Sequence, residues 1–254
     1  MIEIRLIIKN LKYFTDFKNT FYQFILIIEP LFNLVMIFAL SSLKHGTFNL
    51  NYVLSVGLMS MISFNLYSNG SFFYIEKQKG ILNILIATPT SLRVIFFTRA
   101  IANTIVSFIP LILTLVYSRI IFGIRIGSLF QFKFVLSAIL LIICIVSVSG
   151  LIAFVLGLSR KAFELQNILI SPIIVLSGVW GSDTLPVFLR FISYINPLYW
   201  GIQICNNLLS GKTNTIIDIL ITLALVIVFF GVTILLLRKY ENELQRGGAY
   251  SEFQ

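Results

Sequence analysis

Six apolar stretches, each long enough to cross a lipid bilayer as a helix, dominate this 254-residue sequence. A membrane-spanning helix needs about 20 consecutive, mostly apolar residues. The stretches cover residues 21–42, 51–74, 92–122, 132–158, 163–181 and 215–237. Only 11% of the residues are charged, against about 25% in soluble domains, and the mean hydropathy is +0.96. The sequence therefore predicts an all-α membrane protein with six transmembrane helices, in a single domain over residues 1–254.

Lysine and arginine are distributed unevenly between the two sides that six crossings define. An even number of crossings places both termini on one side, and short basic loops stay in the cytoplasm. With both termini cytoplasmic, 13 of the 19 basic residues fall on the inner side and 6 on the outer side. We therefore expect both termini, including a tail over residues 238–254, in the cytoplasm. The abundance of Ile, Phe, Asn and Lys fits an A·T-rich bacterial genome, so the predicted location is the bacterial cytoplasmic membrane.

The first 20 residues have the pattern of an amphipathic helix. The apolar positions that share one face are Ile2, Leu6, Ile7, Leu11 and Phe14. The basic residues that fall mostly elsewhere are Arg5, Lys9, Lys12 and Lys18. Such a helix lies in the membrane interface, where acidic lipid headgroups attract the basic face. We therefore predict an interfacial helix over residues 1–20, with a solvated helical tail as the alternative.

A short charged segment, residues 76–89, separates the second and third apolar stretches. It must leave the bilayer, yet Ile81, Leu82, Leu85 and Ile86 recur at helical spacing. The pattern predicts a short amphipathic helix on the cytoplasmic side. An apolar and partly basic surface in that position is suited to being held by another protein.

The segment between the fifth and sixth stretches, residues 181–200, is apolar but too broken to span. Pro186 can open a helical turn, and Pro197 must end or kink one. Tyr194, Tyr199 and Trp200 are residue types typical of the headgroup zone. We predict one or two short helices that enter the outer leaflet as a re-entrant hairpin.

Motifs for catalysis or cofactor binding are not convincing in this sequence. Gly211-Lys212-Thr213 resembles the end of a phosphate-binding loop, but Asn206 stands where the motif needs glycine. His45 is the only histidine, so the sequence does not suggest a histidine-based proton relay or a pair of nucleophile and histidine base. The tail acids Glu241 and Glu243 are expected to be solvated. We therefore expect no catalytic residue, no metal site and no cofactor in this chain, and the dispersed basic residues argue against nucleic-acid binding.

Ionisable residues within or near the spans need a partner or a route to water. Glu29 precedes Pro30 in the first span, roughly 13 Å from its start at 1.5 Å per residue. An acid there costs several kcal/mol unless it is paired or protonated. It either contacts a cationic substrate or, as the sequence favours, pairs with a base or with backbone groups freed by Pro30. Arg99 and Asp218 lie near an interface, and we expect both side chains to reach towards water.

Two spans carry small polar residues. Those in the second span are Ser60, Ser63, Asn65, Ser68 and Asn69. Those in the fifth span include Asn167, Ser171 and Ser177, followed by Gly178. Such residues form helix–helix contacts in membranes, and they also line translocation paths. Both readings stay open, and they coincide if a path runs along a subunit interface.

Two motifs resemble those of a known family. The first is an acid, a basic residue before glycine, two leucines and a Thr-Pro pair: Glu76, Lys79, Gly80, Leu82, Leu85, Thr88 and Pro89. The second comprises Ser171-Pro172, Ser177-Gly178, Leu185-Pro186 and Asn196-Pro197-Leu198-Tyr199. Together with the number and order of spans, they resemble the membrane permeases of type-2 ABC exporters, which export drugs, antimicrobial peptides or polysaccharides. This chain has Asn83 where glutamate is frequent in that family.

The resemblance implies a mechanism and partners. Segment 76–89 would be the coupling helix that seats in a groove of an ATPase subunit, and residues 181–200 the outer re-entrant hairpin. Two permeases, identical or closely related, would pair above two ATPase subunits that hold ATP and Mg²⁺. The favoured cargo is a hydrophobic or amphiphilic compound, such as an antimicrobial peptide or a drug-like molecule. The alternatives are a polysaccharide or teichoic-acid exporter, a non-transporting sensor or immunity protein, and an ion-coupled transporter, for which only Glu29 is suggestive.

Overall fold

The computed structural model describes residues 23–43, 48, 50–82, 85, 88, 90–124, 132–159, 161–180, 186–209 and 215–246. Within these residues the regular structure is entirely helical, with no β-strand, which confirms the predicted all-α class. The predicted interfacial helix over residues 1–20 lies outside the described residues.

Ten helices follow one another in the described part of the chain. They are α1 (Phe24–Leu43), α2 (Leu50–Gly70), α3 (Phe72–Gln78), α4 (Leu92–Val106), α5 (Phe108–Phe122), α6 (Phe132–Leu158), α7 (Ala162–Leu176), α8 (Val187–Ser193), α9 (Pro197–Leu209) and α10 (Thr215–Arg246). Helix α1 begins with a π-helical stretch over Phe24–Ile28. A π turn fits the position before Pro30, because proline has no N–H to offer to an α-helical hydrogen bond.

Five helices in the described residues are long and apolar enough to cross a membrane. They are α1, α2, the α4–α5 pair over Leu92–Phe122, the apolar part of α6 and most of α10. They correspond to five of the six predicted spans. The remaining one, predicted over 163–181, is the 15-residue helix α7. Its length of about 22 Å falls short of the roughly 30 Å hydrocarbon core.

Two serines mark interruptions within long helical stretches. Ser71 separates α2 from α3, and its hydroxyl donates to the carbonyl of Tyr67 at 2.7 Å. Ser107 separates α4 from α5 and donates to the carbonyl of Thr104 at 2.7 Å. Pro110 follows within the first turn of α5 and withholds one backbone donor from the preceding turn. Each hydroxyl therefore satisfies a carbonyl next to a break in the helix.

Helix α6 occupies the centre of the bundle and packs against α2, α4, α9 and α10. Two of its glycines allow close approach of neighbouring elements. A Cβ atom at Gly150 would lie 2.6 Å from Thr233 of α10, and one at Gly157 would lie 2.9 Å from Phe73 of α3. Small residues at helix contacts let backbones approach closely, which strengthens packing where lipid is the solvent. Helices α1 and α10 are peripheral and expose many large apolar side chains.

The last helix is longer than the sequence indicated. The predicted span ends at residue 237, but α10 continues as a helix to Arg246. Its 32 residues extend for about 48 Å, well beyond a hydrocarbon core. Leu237 and Tyr240 are buried, and the Tyr240 ring lies edge-on to Phe73 and Phe154. Packing on α3 and α6 thus explains why the helix persists past the predicted boundary.

Candidate functional site

Segment 76–89 begins inside helix α3 and turns sharply after it. Helix α3 ends at Gln78, and Gly80 has a left-handed conformation with φ of +68°. Its N–H donates to the carbonyl of Lys77 at 3.0 Å, which closes the turn. Side chains with a Cβ disfavour this conformation, so glycine suits the position, although a Cβ there would meet no other atom.

The apolar residues of the segment point in different directions. Leu82 is 4% exposed and Leu85 is partly buried, and both pack on an aromatic cluster at this end of the bundle. We use the name aromatic cluster for Phe72, Phe73, Phe96 and Tyr240. Ile81, by contrast, is exposed. The apolar face that includes Leu82 therefore anchors the segment to its own bundle rather than facing outwards.

The remaining predicted docking residues are placed as follows. Lys79, Gly80 and Thr88 are exposed, whereas Pro89 lies outside the described residues, as do Asn83, Ile84, Ile86 and Ala87. The Thr88 hydroxyl donates to the carbonyl of Leu85 at 2.6 Å, which holds the chain in a turn. The surface offered to the outside is therefore formed by Gln78, Lys79, Gly80, Ile81 and Thr88, and we call it the docking surface.

Glu76 is buried and forms an ion pair with Arg99 of α4. The side chains of the two residues are 8% and 9% exposed. The Arg99 guanidinium also lies over the Phe72 ring, 4.8 Å from its centroid, in a cation–π contact. The expectation that Arg99 reaches towards water is therefore wrong. Its nearest strong acceptor is an acid on the same chain, 23 positions earlier, which no local spacing reveals.

A buried polar network continues along the contact between α2 and α4. The Asn103 amide donates to Asn69 Oδ1, and the Asn69 amide donates to Asn65 Oδ1. The Asn65 amide in turn donates to Thr104 Oγ1 at 2.8 Å and to Ser107 Oγ at 3.3 Å. We call these five residues the polar ladder. A contact of 3.4 Å from Asn69 to Ser149 extends the ladder to α6.

Two of the small polar residues of the second span, Asn65 and Asn69, belong to the polar ladder. Asn65, Asn69 and Ser63 are at most 2% exposed within the single chain. In this structure they face neighbouring helices of their own bundle rather than an open surface. Interhelical hydrogen bonds of this kind hold membrane helices in register. Two asparagines four residues apart on an apolar helix can be recognised in the sequence. Their hydrogen-bond partners on α4 cannot.

Asn167 and Ser171 lie elsewhere, on the exposed side of α7. Tyr67 of α2 donates its hydroxyl to Asn167 Oδ1 at 2.9 Å. Ser171, one turn further along α7, donates to the Asn167 carbonyl at 3.2 Å. Glu29 is half-buried on α1, and its carboxylate accepts a hydrogen bond from Asn33. The structure therefore separates the predicted path residues into a buried set and a set on the outer side of the bundle.

The residues predicted for the outer hairpin form short helices. Pro186 precedes α8 with an extended ψ of 147°, and Asn196 caps α9, whose first residue is Pro197. The Asn196 carboxamide accepts from the Leu198 N–H at 3.1 Å, as an N-cap does. Tyr199 is buried against Gly178, where a Cβ would lie 3.0 Å from the ring. Residues 181–185, including Leu185, lie outside the described residues.

Glu241 makes a contact that the sequence did not indicate. Its Oε1 atom accepts from the Leu92 N–H at 3.1 Å, and Oε2 lies 3.4 Å from Arg93 Nε. The first N–H groups of a helix lack partners, and the helix dipole favours a negative charge there. Glu241 therefore caps α4 and ties the end of α10 to the residues that follow segment 76–89. The expectation of a solvated Glu241 is wrong, and Glu243 has no described side chain.

Removing this cap should have a moderate effect. We expect Glu241→Ala to lower the free energy of unfolding by about 1–2 kcal/mol, because the charge-assisted bond to the Leu92 N–H is lost. Chemical denaturation of the purified full-length chain measures the change. Asn242→Ala is the matched control, since Asn242 is the exposed neighbour in the same helix turn. Equal stability of the two variants would contradict the capping role.

Comparison with known proteins gives one family. Residues 7–209, most of the chain, match the family model described as ABC-2 type transporter. No curated protein matches the sequence. The matched range includes segment 76–89, the polar ladder and helices α8 and α9. This family comprises membrane permease components, which normally work with an ATPase subunit. The chain therefore belongs to the ABC-2 type transporter family, as a multi-pass membrane permease subunit.

Proposed function

We propose that this subunit exports a hydrophobic or amphiphilic compound, such as an antimicrobial peptide or a drug-like molecule. The energy comes from ATP hydrolysis in two separate ATPase subunits, which hold ATP and Mg²⁺. A second permease, identical or closely related, completes the complex. One observation carries the proposal: the exposed docking surface is attached, through Leu82 and the Glu76–Arg99 pair, to the interior of the bundle.

The proposed topology has six crossings, with the short helix α7 as the fifth. Both termini then lie in the cytoplasm of a bacterial cell, and residues 1–20 lie in the inner membrane interface. Helices α8 and α9 form the re-entrant hairpin in the outer leaflet. The whole chain, residues 1–254, acts as one transmembrane domain. The 13-to-6 distribution of basic residues supports this orientation, and the aromatic residues at the α8–α9 junction support the position of the hairpin.

Coupling in this proposal runs from the docking surface to the spans. Ile81 and Lys79 contact the ATPase, while Leu82 and Leu85 hold the segment on the aromatic cluster. Movement of the segment shifts α3 and, through the Glu76–Arg99 pair, α4. The polar ladder joins α4 to α2 along the next turns. Such a path has packed and hydrogen-bonded contacts at each step, which transmission of a displacement requires.

The proposed translocation path follows the outer side of α1 and α7, where a second permease would pack. Glu29, Asn167 and Ser171 belong to this surface. Ser63, Asn65 and Asn69 keep their role as helix contacts, because their side chains are buried inside one chain. A sensor or immunity protein without transport activity would not need a buried connection between a docking surface and the spans.

Site-directed labelling and co-purification test the proposal together. Lys79→Cys should react with a membrane-impermeant thiol reagent in inside-out vesicles and not in intact cells. The native Cys144 and Cys205 are buried and provide a low background. The full-length chain should also co-purify with an ATP-hydrolysing subunit whose activity rises with a transported compound. Labelling from outside, or hydrolysis that never responds to compounds, would contradict the proposal.

A further inference from the structure

Glu29 is a half-buried acid in a span with no basic partner in the described part of the chain. Each ion pair there involves another acid: Glu76, Glu164 or Glu241. The helix is continuous from Phe24 to Leu43, so no free helix N-terminus stabilises the Glu29 charge. Its polar neighbours are Asn33, which donates a hydrogen bond, and Tyr67, whose hydroxyl is close enough to experience the carboxylate charge.

A purely structural role for Glu29 finds little support in its surroundings. Pro30 lacks an N–H, so the group it leaves without a partner is a backbone carbonyl. A carbonyl accepts hydrogen bonds, and an ionised carboxylate cannot donate one. An ionised Glu29 therefore cannot satisfy the carbonyl that Pro30 leaves without a donor.

The polar neighbours of this carboxylate are linked by hydrogen bonds to further polar groups on α2 and α7. Asn33, one turn after Glu29, also donates to Ser60 of α2 at 3.4 Å. Tyr67 of α2 is held by its hydrogen bond to Asn167, which is exposed on α7. We call Glu29, Asn33, Tyr67 and Asn167 the Glu29 patch. It combines one carboxylate, two carboxamides and an aromatic ring, and Asn167 at its α7 end is exposed.

We propose that the Glu29 patch binds the cationic group of an amphiphilic transported compound, an amine, a guanidinium or a quaternary cation. This inference rests on the proposed export function and names the charge of its substrate. An acid in hydrocarbon costs several kcal/mol unless it is paired or protonated, and a cationic ligand supplies the pair for the ionised form. The face of the Tyr67 ring adds a cation–π surface, while the apolar part of the ligand lies against the spans.

Two lipophilic ions of equal size and opposite charge provide the test. Equilibrium binding of tetraphenylphosphonium and of tetraphenylborate is measured on the full-length chain in nanodiscs, without an ATPase. We expect the native chain to prefer the cation. Glu29→Gln should weaken tetraphenylphosphonium binding about tenfold or more and leave tetraphenylborate binding nearly unchanged. Glu29→Asp, which keeps the charge, should retain most of the affinity.

Matched variants separate this result from a loss of folding. Glu164→Gln removes an exposed acid of α7 that lies 3.8 Å from Lys161, and it should bind like the native chain. Tyr67→Leu should also weaken cation binding, because the ring face is lost. Three outcomes overturn the inference: no tetraphenylphosphonium binding by the native chain, equal affinity in Glu29→Gln, or a parallel loss of both ions. The assay needs no partner subunit, so its result is independent of whether an ATPase co-purifies.

Discussion

Replacing Arg99 by leucine should destabilise the subunit by about 3–5 kcal/mol, because it leaves the Glu76 carboxylate buried without its cation. Both side chains are less than a tenth exposed, so water cannot replace the lost partner. The loss of the cation–π contact with Phe72 adds to the effect. Denaturant titration of the purified full-length chain, read by intrinsic fluorescence, measures the free energy of unfolding.

The double variant Glu76→Gln with Arg99→Leu is the control for this prediction. It removes both charges, and replacing a buried ion pair by neutral groups is often close to neutral in stability. We therefore expect the double variant to recover most of the stability that Arg99→Leu loses. If Arg99→Leu unfolds at the same denaturant concentration as the native chain, the ion pair does not stabilise this end of the bundle.

A negative charge at two neighbouring residues of segment 76–89 should affect different properties of the subunit: coupling to the ATPase at one residue and folding stability at the other. Ile81→Asp should leave the fold intact but abolish compound-stimulated ATP hydrolysis by the assembled complex, because Ile81 is exposed on the docking surface. Leu82→Asp should destabilise the chain by several kcal/mol, since it places a charge against the aromatic cluster. Hydrolysis by the reconstituted complex and unfolding of the isolated subunit are measured for both variants.

The serine variants of the same two residues provide the controls. Ile81→Ser removes apolar surface without a charge and should weaken coupling only partly. Leu82→Ser should still lower stability, because it loses a buried side chain and leaves a cavity. The prediction fails if Ile81→Asp retains native stimulation, or if Leu82→Asp is as stable as the native chain. The first result would mean that Ile81 does not take part in coupling, and the second that Leu82 does not pack on the aromatic cluster.

Much of the architecture follows from the sequence, because the length of an apolar stretch strongly indicates a spanning helix in a membrane protein. Backbone groups cannot remain unpaired in lipid, so a long apolar stretch must be a helix. Five predicted spans accordingly coincide with long helices, and α6 covers the same residues, 132–158. The signal is weaker for α7, a short helix that contains Pro172, and for α10, whose last turns are polar in sequence but packed in the fold.

The sequence by itself determined the helical class and most span positions, because each depends on a run of neighbouring residues. Only the tertiary structure decided which side chains meet. It paired Glu76 with Arg99, turned Leu82 inwards and made Glu241 a cap for α4. The ion pair joins residues 23 positions apart and the cap joins residues 149 positions apart, and both depend on how helices cross and rotate against one another. Periodicity along one helix identifies a face, but only packing identifies what that face contacts.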